Sequence, residues 1–192
     1  MSTPAQLAKR TAKPPVPMAS KRRAEKLSYI GGITLRISIR RPVWRDCEHL
    51  ADMLCSDETL RKDLGFQGED GPTPESFRSR LDEWCEKHHA VSYAIVLDSD
   101  RAVGLISLSH INNNTRSAGI GYWMSSGHRR HGYCSDAFGL VVQEAKQRDL
   151  RRLRASIEAG NTPSRRIWEK CGGRALHKPQ DKKIEYEILL DH

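Results

Sequence analysis

Residues 127–134 read Gly-His-Arg-Arg-His-Gly-Tyr-Cys: a short, basic segment marked by glycines, which predicts a loop. The residues that follow place Phe138, Val141, Val142 and Ala145 at the i, i+3, i+4, i+7 spacing of an amphipathic helix. The residues before it, Ala-Gly-Ile-Gly-Tyr-Trp-Met (118–124), are short and aromatic, as strands are. A strand, a basic glycine loop and a helix form an arrangement that holds phosphate. The helix start offers N–H groups and the positive end of its dipole. Gly132 lets a ligand approach the backbone closely, and Arg129 and Arg130 add charge. Taken alone, the same residues also fit a basic surface loop ahead of a capped helix.

The elements that must position this loop can be read on both sides of it. Ile33, Leu35, Ile37 and Ile39 alternate with polar residues and predict a half-buried strand, ended by Pro42. Trp44, Cys47, Leu50, Ala51 and Leu54 give the buried stripe of a first helix. Residues 65–74 are a loop by their glycines and prolines. Thr73 as cap and Pro74 in the first turn open a second helix, with Phe77, Leu81, Trp84 and Cys85 as its buried face. Strands follow at 91–98, 102–111 and 118–124, joined by short turns and therefore antiparallel. After a helix over 135–149 come a strand at 151–159 and a helix with Thr162 as cap and Pro163 first. That helix buries Ile167, Trp168 and Cys171 and stops at Gly172. Strands near 173–178 and at 183–190 complete the chain. The predicted class is α+β, a central, mostly antiparallel mixed sheet flanked by helices. A helix joins the strands at 118–124 and 151–159, so that neighbouring pair must be parallel.

The 192 residues suffice for one domain with a core, and 29% charged against 38% hydrophobic residues is an ordinary balance for a water-soluble protein. No apolar run approaches the roughly 18–20 residues that a bilayer span requires. The N-terminus has no apolar signal segment, so the expected compartment is the cytoplasm, with no membrane partner. Cys47, Cys55, Cys85, Cys134 and Cys171 are odd in number and form no Cys-x-x-Cys, which predicts free thiols. The histidines show no metal-ligand spacing, and no metal site is expected. The net charge of +8 is uneven: residues 1–29 hold seven Lys or Arg against Glu25 alone. The segment 1–32 is thus expected to be a basic, disordered tail on a domain spanning 33–192. The composition of the tail fits first a solvated extension, next an arm touching RNA or a ribosome, and third a targeting segment. Prolines 14, 15 and 17 oppose a long helix there.

Two motifs carry a resemblance to a known family. Residues 121–138 resemble the acetyl-CoA loop of the GNAT N-acetyltransferases, Gln/Arg-x-x-Gly-x-Gly/Ala, with Arg129, Gly132 and Cys134 at the marked positions. Cys134 departs from the usual Gly or Ala but is small. Asn161, Ser164 and Gly172 resemble the second signature of the family, Asn-x-x-Ser/Ala followed by a helix and Gly. The segment beginning at Ile33 looks like the first strand and helix of the ribosomal-protein N-acetyltransferase branch, and the likeness runs over about residues 33–190.

The resemblance implies acetyl-CoA as co-substrate and transfer of its acetyl group to a primary amine, on a protein N-terminus or a small molecule, by direct attack in a ternary complex. It implies a V-shaped splay between the fourth and fifth strands. There the backbone of Tyr122, Trp123 and Met124 would meet the pantetheine arm, and Arg129, Arg130, His131, Gly132, Tyr133, Cys134 and Ser135 the pyrophosphate. Asn161 would position the cofactor. Many relatives carry a Tyr acid where Trp168 stands and a Glu base where Gly119 stands. Ser164 occupies the place of the branch's acid, as a hydrogen-bond donor to sulfur. For the base, Glu158, His110 and a water remain open. The missing Tyr and Glu also fit a module that binds acyl-CoA with lost or weak catalysis, and the tail fits an acetyltransferase for an RNA-linked amine. The acceptor carries no readable motif, and monomer and homodimer are both compatible with the sequence.

Overall fold

The computed structural model describes residues 27–30, 33–66, 71–176 and 182–191. Its strands are β1 (Leu27–Ile30), β2 (Ile33–Arg40), β3 (Val91–Leu97), β4 (Ala102–Asn112), β5 (Ser117–Met124), β6 (Arg152–Glu158), β7 (Arg174–Ala175) and β8 (Lys183–Leu189). Its α-helices are α1 (Trp44–Ser56), α2 (Glu58–Asp63), α3 (Pro74–Lys87), α4 (Tyr133–Gln147) and α5 (Thr162–Lys170). The strands form one sheet in the order β1-β2-β3-β4-β5-β6-β8-β7. Every neighbouring pair is antiparallel except β5 with β6. The expected α+β class and its single parallel pair are thus observed.

Successive strand residues point to opposite faces, which places the helices. The Tyr93 hydroxyl donates to Glu144 of α4 at 2.8 Å, whereas its neighbour Ser92 lies 3.2 Å from Cys85 of α3. Helices α3 and α4 therefore cover opposite faces, and α1 packs beside α3. Ile95, Ile106, Leu108, Phe138, Leu140 and Trp168 are wholly buried in the core. At the end of β2, Arg40 grips the buried Asp46 through two nitrogens, at 3.0 and 2.7 Å. Asp46 also accepts the Val43 N–H at 3.0 Å, so one carboxylate fixes both the strand end and the first turn of α1.

Several expectations need correction. Trp44 is 49% exposed and donates to Glu48 at 3.0 Å rather than joining the stripe of α1, at whose first position it stands. On α3, Phe77 is buried, while Trp84 is exposed and Leu81 half-buried, since this face borders a cavity. Helix α4 starts at Tyr133 and α5 at Thr162, with Gly132 and Asn161 as the caps. Helix α2 had no periodic signal, holding only Leu60 as a buried residue, and depends on its Asp57 cap. The sheet begins at Leu27, ahead of the boundary expected at residue 33. The rest of the basic tail, through residue 26, lies outside the described residues.

Candidate functional site

Strands β5 and β6 pair over only three positions, Ser117, Ala118 and Gly119 against Arg152, Leu153 and Arg154. Beyond them, residues 120–124 pair with β4 alone and residues 155–158 with β8 alone. The sheet therefore opens into a V, the splay expected between the fourth and fifth strands counted from Ile33. One arm continues through a 3-10 turn (Ser126–His128) into α4; the other turns into α5. On the open side of β5, backbone N–H and C=O groups face a gap instead of a strand.

The start of α4 stands at the mouth of this gap. Gly132, its cap residue, has φ +85°, a left-handed conformation suited to glycine, and no side chain caps the helix. The first-turn N–H groups have no carbonyl within the helix to bond. A Cβ on Gly132 would meet nothing within 4 Å, so the space outside it is open. Arg130 also has positive φ, and Arg130 and His131 are exposed. Arg129 is occupied: it donates to Asp63 at 2.6 Å and to the Met124 carbonyl at 3.2 Å, tying α2 to the end of β5. The His131 ring stacks on Tyr133 at 5.4 Å, and the Arg36 guanidinium lies over Tyr133. Burial pushes the Cys134 thiol up to about 12, so it is a small neutral group. Ser135 is half-buried in the first turn. Asp57 holds the loop from below, accepting the N–H of Ser126 at 2.6 Å and that of Leu60 at 2.9 Å. Burial raises the pKa of this carboxyl, but the bonds from Leu60 and Ser126 outweigh it and hold the value below the usual one.

On the other arm, Asn161 caps α5 by accepting the Ser164 N–H at 3.2 Å. Ser164 is half-buried, and its hydroxyl lies 2.8 Å from the Tyr122 hydroxyl of β5, so this contact spans the V. Burial pushes the Tyr122 phenol above its ordinary range. Trp168 is wholly buried, edge-on to Phe138 at 5.1 Å and tilted against Tyr186 at 6.2 Å. Trp123 is half-buried and Met124 buried.

The two protein bases suggested by the sequence lie in different places. Glu158 is exposed and pairs with Lys183 of β8. Gly119 pairs with Arg154, so Glu158 stands four residues, ~13 Å, further along the splayed arm. His110 is exposed, with Nδ1 3.2 Å from Ser109 Oγ and Nε2 3.3 Å from His88 Nδ1. Ser109 Oγ lies only 3.1 Å from where a Cβ on Gly119 would be. The structure thus brings His110, but not Glu158, to the flank of Gly119.

A cavity of about 330 Å³ adjoins the same stretch of β5, lined by Phe77, Leu81, Trp84, Leu105, Tyr122 and Trp123 among others. In the sequence this cavity shows only as the Phe77, Leu81, Trp84 stripe, whose spacing predicts a buried helix face. His88, Ser109 and Asp57 had no signal of their own, because their roles depend on contacts between distant segments. Among the described residues no group of His, Cys, Asp or Glu is arranged to hold a metal, and no helix is long and apolar enough to cross a membrane.

Residues 36–174 match the family model described as the acetyltransferase (GNAT) domain. "Probable N-acetyltransferase YjcK" of Bacillus subtilis is 32% identical over 113 residues, 56% of this chain and 62% of that protein. Two solved structures share the fold. One is Mycobacterium smegmatis RimJ in complex with CoA-disulfide, at 18% identity and TM-score 0.64, covering 80% of this chain and 81% of that one. The other is RimL, a ribosomal L7/L12 alpha-N-protein acetyltransferase, at 18% identity and TM-score 0.65, covering 87% and 95%.

Proposed function

From the premise that the chain belongs to the GNAT acetyltransferase family, we propose that it transfers an acetyl group from acetyl-CoA to a primary amine. The observation that carries this reading is the V between β5 and β6 beside the uncapped start of α4. The residues fit the co-substrate. The open backbone edge at Tyr122, Trp123 and Met124 offers amide partners to a pantetheine arm, although the Met124 carbonyl already accepts from Arg129. The N–H groups of the α4 first turn, with Gly132, Arg130 and His131 around them, suit a pyrophosphate. Asn161 holds the first turn of α5, and with it Ser164, against the other arm.

The chemistry requires a neutral amine, which attacks the thioester carbon as the carbon–sulfur bond breaks. N–H groups on the open edge of β5 can hydrogen-bond the oxygen that gains charge as the amine adds. The His110 imidazole, coupled to Ser109 beside Gly119, is the protein base the geometry favours for taking the amine proton, directly or through water. The apolar cavity along Gly121, Tyr122 and Trp123 of β5 suits an amine borne on an apolar body, whether a small molecule or a protein N-terminus. The ribosomal-protein acetyltransferase among the structural relatives supports the latter.

A second reading, an acyl-CoA-binding module without turnover, draws on Trp168 being sealed in the core and on the lack of a carboxylate at Gly119. One experiment separates the two. Acetyl-CoA at about 100 times its Kd should stabilise the protein by about 2.7 kcal/mol, raising Tm by roughly 5–10 °C. A panel of amines and peptides, read by release of free CoA, should then show turnover. A shift without CoA release supports the module, and no shift refutes both.

A further inference from the structure

We propose that Tyr122 is a positioning residue that turns the Ser164 hydroxyl toward the leaving sulfur, an inference that rests on the acetyl-transfer reading above. The geometry is specific. Tyr122 belongs to β5 and Ser164 to the first turn of α5, so their hydroxyls meet from opposite arms of the V, 2.8 Å apart. The other Ser164 oxygen within reach of the phenol is its carbonyl, at 3.4 Å. That carbonyl can only accept. A phenol is a stronger acid than an aliphatic alcohol, so it takes the donor role in the closer contact. The Ser164 oxygen then accepts from Tyr122, and its own O–H is released to point elsewhere. Because α5 begins at the edge of the gap, that proton is available to a group lying along β5.

The ring is held for this purpose. It packs edge-on to Phe138 of α4, with centroids 6.0 Å apart, and Phe138 is wholly buried. Burial also keeps the phenol protonated well into the alkaline range, so it remains a donor whenever the enzyme works. In the transfer step the amine nitrogen bonds to the acetyl carbon and the carbon–sulfur pair goes to sulfur. The Ser164 O–H hydrogen-bonds the forming thiolate, and the proton lost by the amine balances the charge through the base and solvent. Tyr122 and Ser164 both keep their protons, so neither becomes an anion in a buried site.

Five proteins test the assignment: wild type, Tyr122→Phe, Ser164→Ala, the double variant and Ser164→Thr. Each is assayed by CoA release from acetyl-CoA with the best amine of the panel, or with water where no amine serves. Tyr122→Phe keeps the ring and its packing. Its kcat is expected to fall about three- to tenfold, the worth of one neutral hydrogen bond, with KM for acetyl-CoA changed less than about twofold. Ser164→Ala should lose at least as much, the double variant no more than Ser164→Ala, and Ser164→Thr should recover most of the rate. Wild-type kcat in Tyr122→Phe overturns the assignment, as does a double variant whose losses multiply. If Tyr122→Phe folds poorly, Ser164→Ala decides: an unchanged kcat overturns the assignment and a matching loss supports it. A wild-type protein that neither binds acetyl-CoA nor releases CoA refutes the activity and this role together. A normal wild type beside a normal Tyr122→Phe refutes this role alone.

Discussion

Gly104→Ala probes the V from behind. Gly104 lies on β4 and pairs with Met124 on β5. A Cβ there would come within 2.5 Å of the Trp123 carbonyl oxygen and 3.1 Å of the Met124 Cα. Both are backbone atoms, so no side-chain rotation relieves the contact. Restoring ordinary separation requires β5 to move by ~1 Å, toward its open edge. Overpacking of this kind costs about 1–3 kcal/mol, and the stiffer unfolded chain returns about 0.4–1 kcal/mol. The net loss, about 1–2 kcal/mol, lowers Tm by roughly 2–8 °C in a protein of this size. A shift of ~1 Å on the face that meets the substrate can also reduce kcat by up to about 100-fold. The assay is thermal melting with and without acetyl-CoA, followed by kcat on the best amine. Gly121→Ala on the neighbouring strand β5 is the control for melting, since its Cβ would meet nothing within 4 Å. If Gly104→Ala melts with the wild type and keeps its acetyl-CoA shift, or if Gly121→Ala falls as far, the reasoning fails.

Two further outcomes are expected. Gly132→Val places a branched side chain where φ is +85° and where phosphate is proposed to approach, so the acetyl-CoA melting shift should disappear; retention of the full shift would remove the α4 start from the binding site. Asp57→Asn keeps the cap on Leu60 but loses a charged acceptor for Ser126, about 1.5–3 kcal/mol. Because the folded pKa of Asp57 is lowered, its contribution is complete above the unfolded value near 4 and fades as pH falls through the folded value. The gap in melting temperature between wild type and variant should therefore be full at pH 7 and close below about pH 4; a gap constant to pH 2.5 would contradict the linkage.

What the sequence revealed was what repeats locally. The alternation in β2 and β8, the antiparallel run from β3 to β5 and the amphipathic spacing of α4 each identify an element from its own residues. The parallel pair followed from one helix between two strands, without any contact being known. The loop at 129–135 was legible because its glycine and arginines sit in one short window. Residues joined only by the fold were not. Asp57 and Ser126 are far apart in the chain, as are Tyr122 and Ser164, and no spacing announces either pair. Trp84 was misjudged because a helical stripe looks the same whether it faces a core or a cavity. The Thr162 and Pro163 pair marked the start of α5 to within a residue, since Asn161 caps as well as Thr does.

The three-residue seam between β5 and β6 also divides the protein by chain order. From β1 to β5, strands adjacent in the sheet are adjacent in sequence, while β6, β7 and β8 make a second set held together by the β6–β8 and β7–β8 pairings. Each set can acquire its ladder from its own stretch of chain, and joining the two sets is left to Ser117–Gly119 against Arg152–Arg154, with the α4–α5 contact. Those three rungs are the only strand pairing that joins the two sets among the described residues. The short seam between the two sets and the proposed place of the substrate therefore coincide: what occupies the V acts as a rivet across the joint of a two-piece assembly.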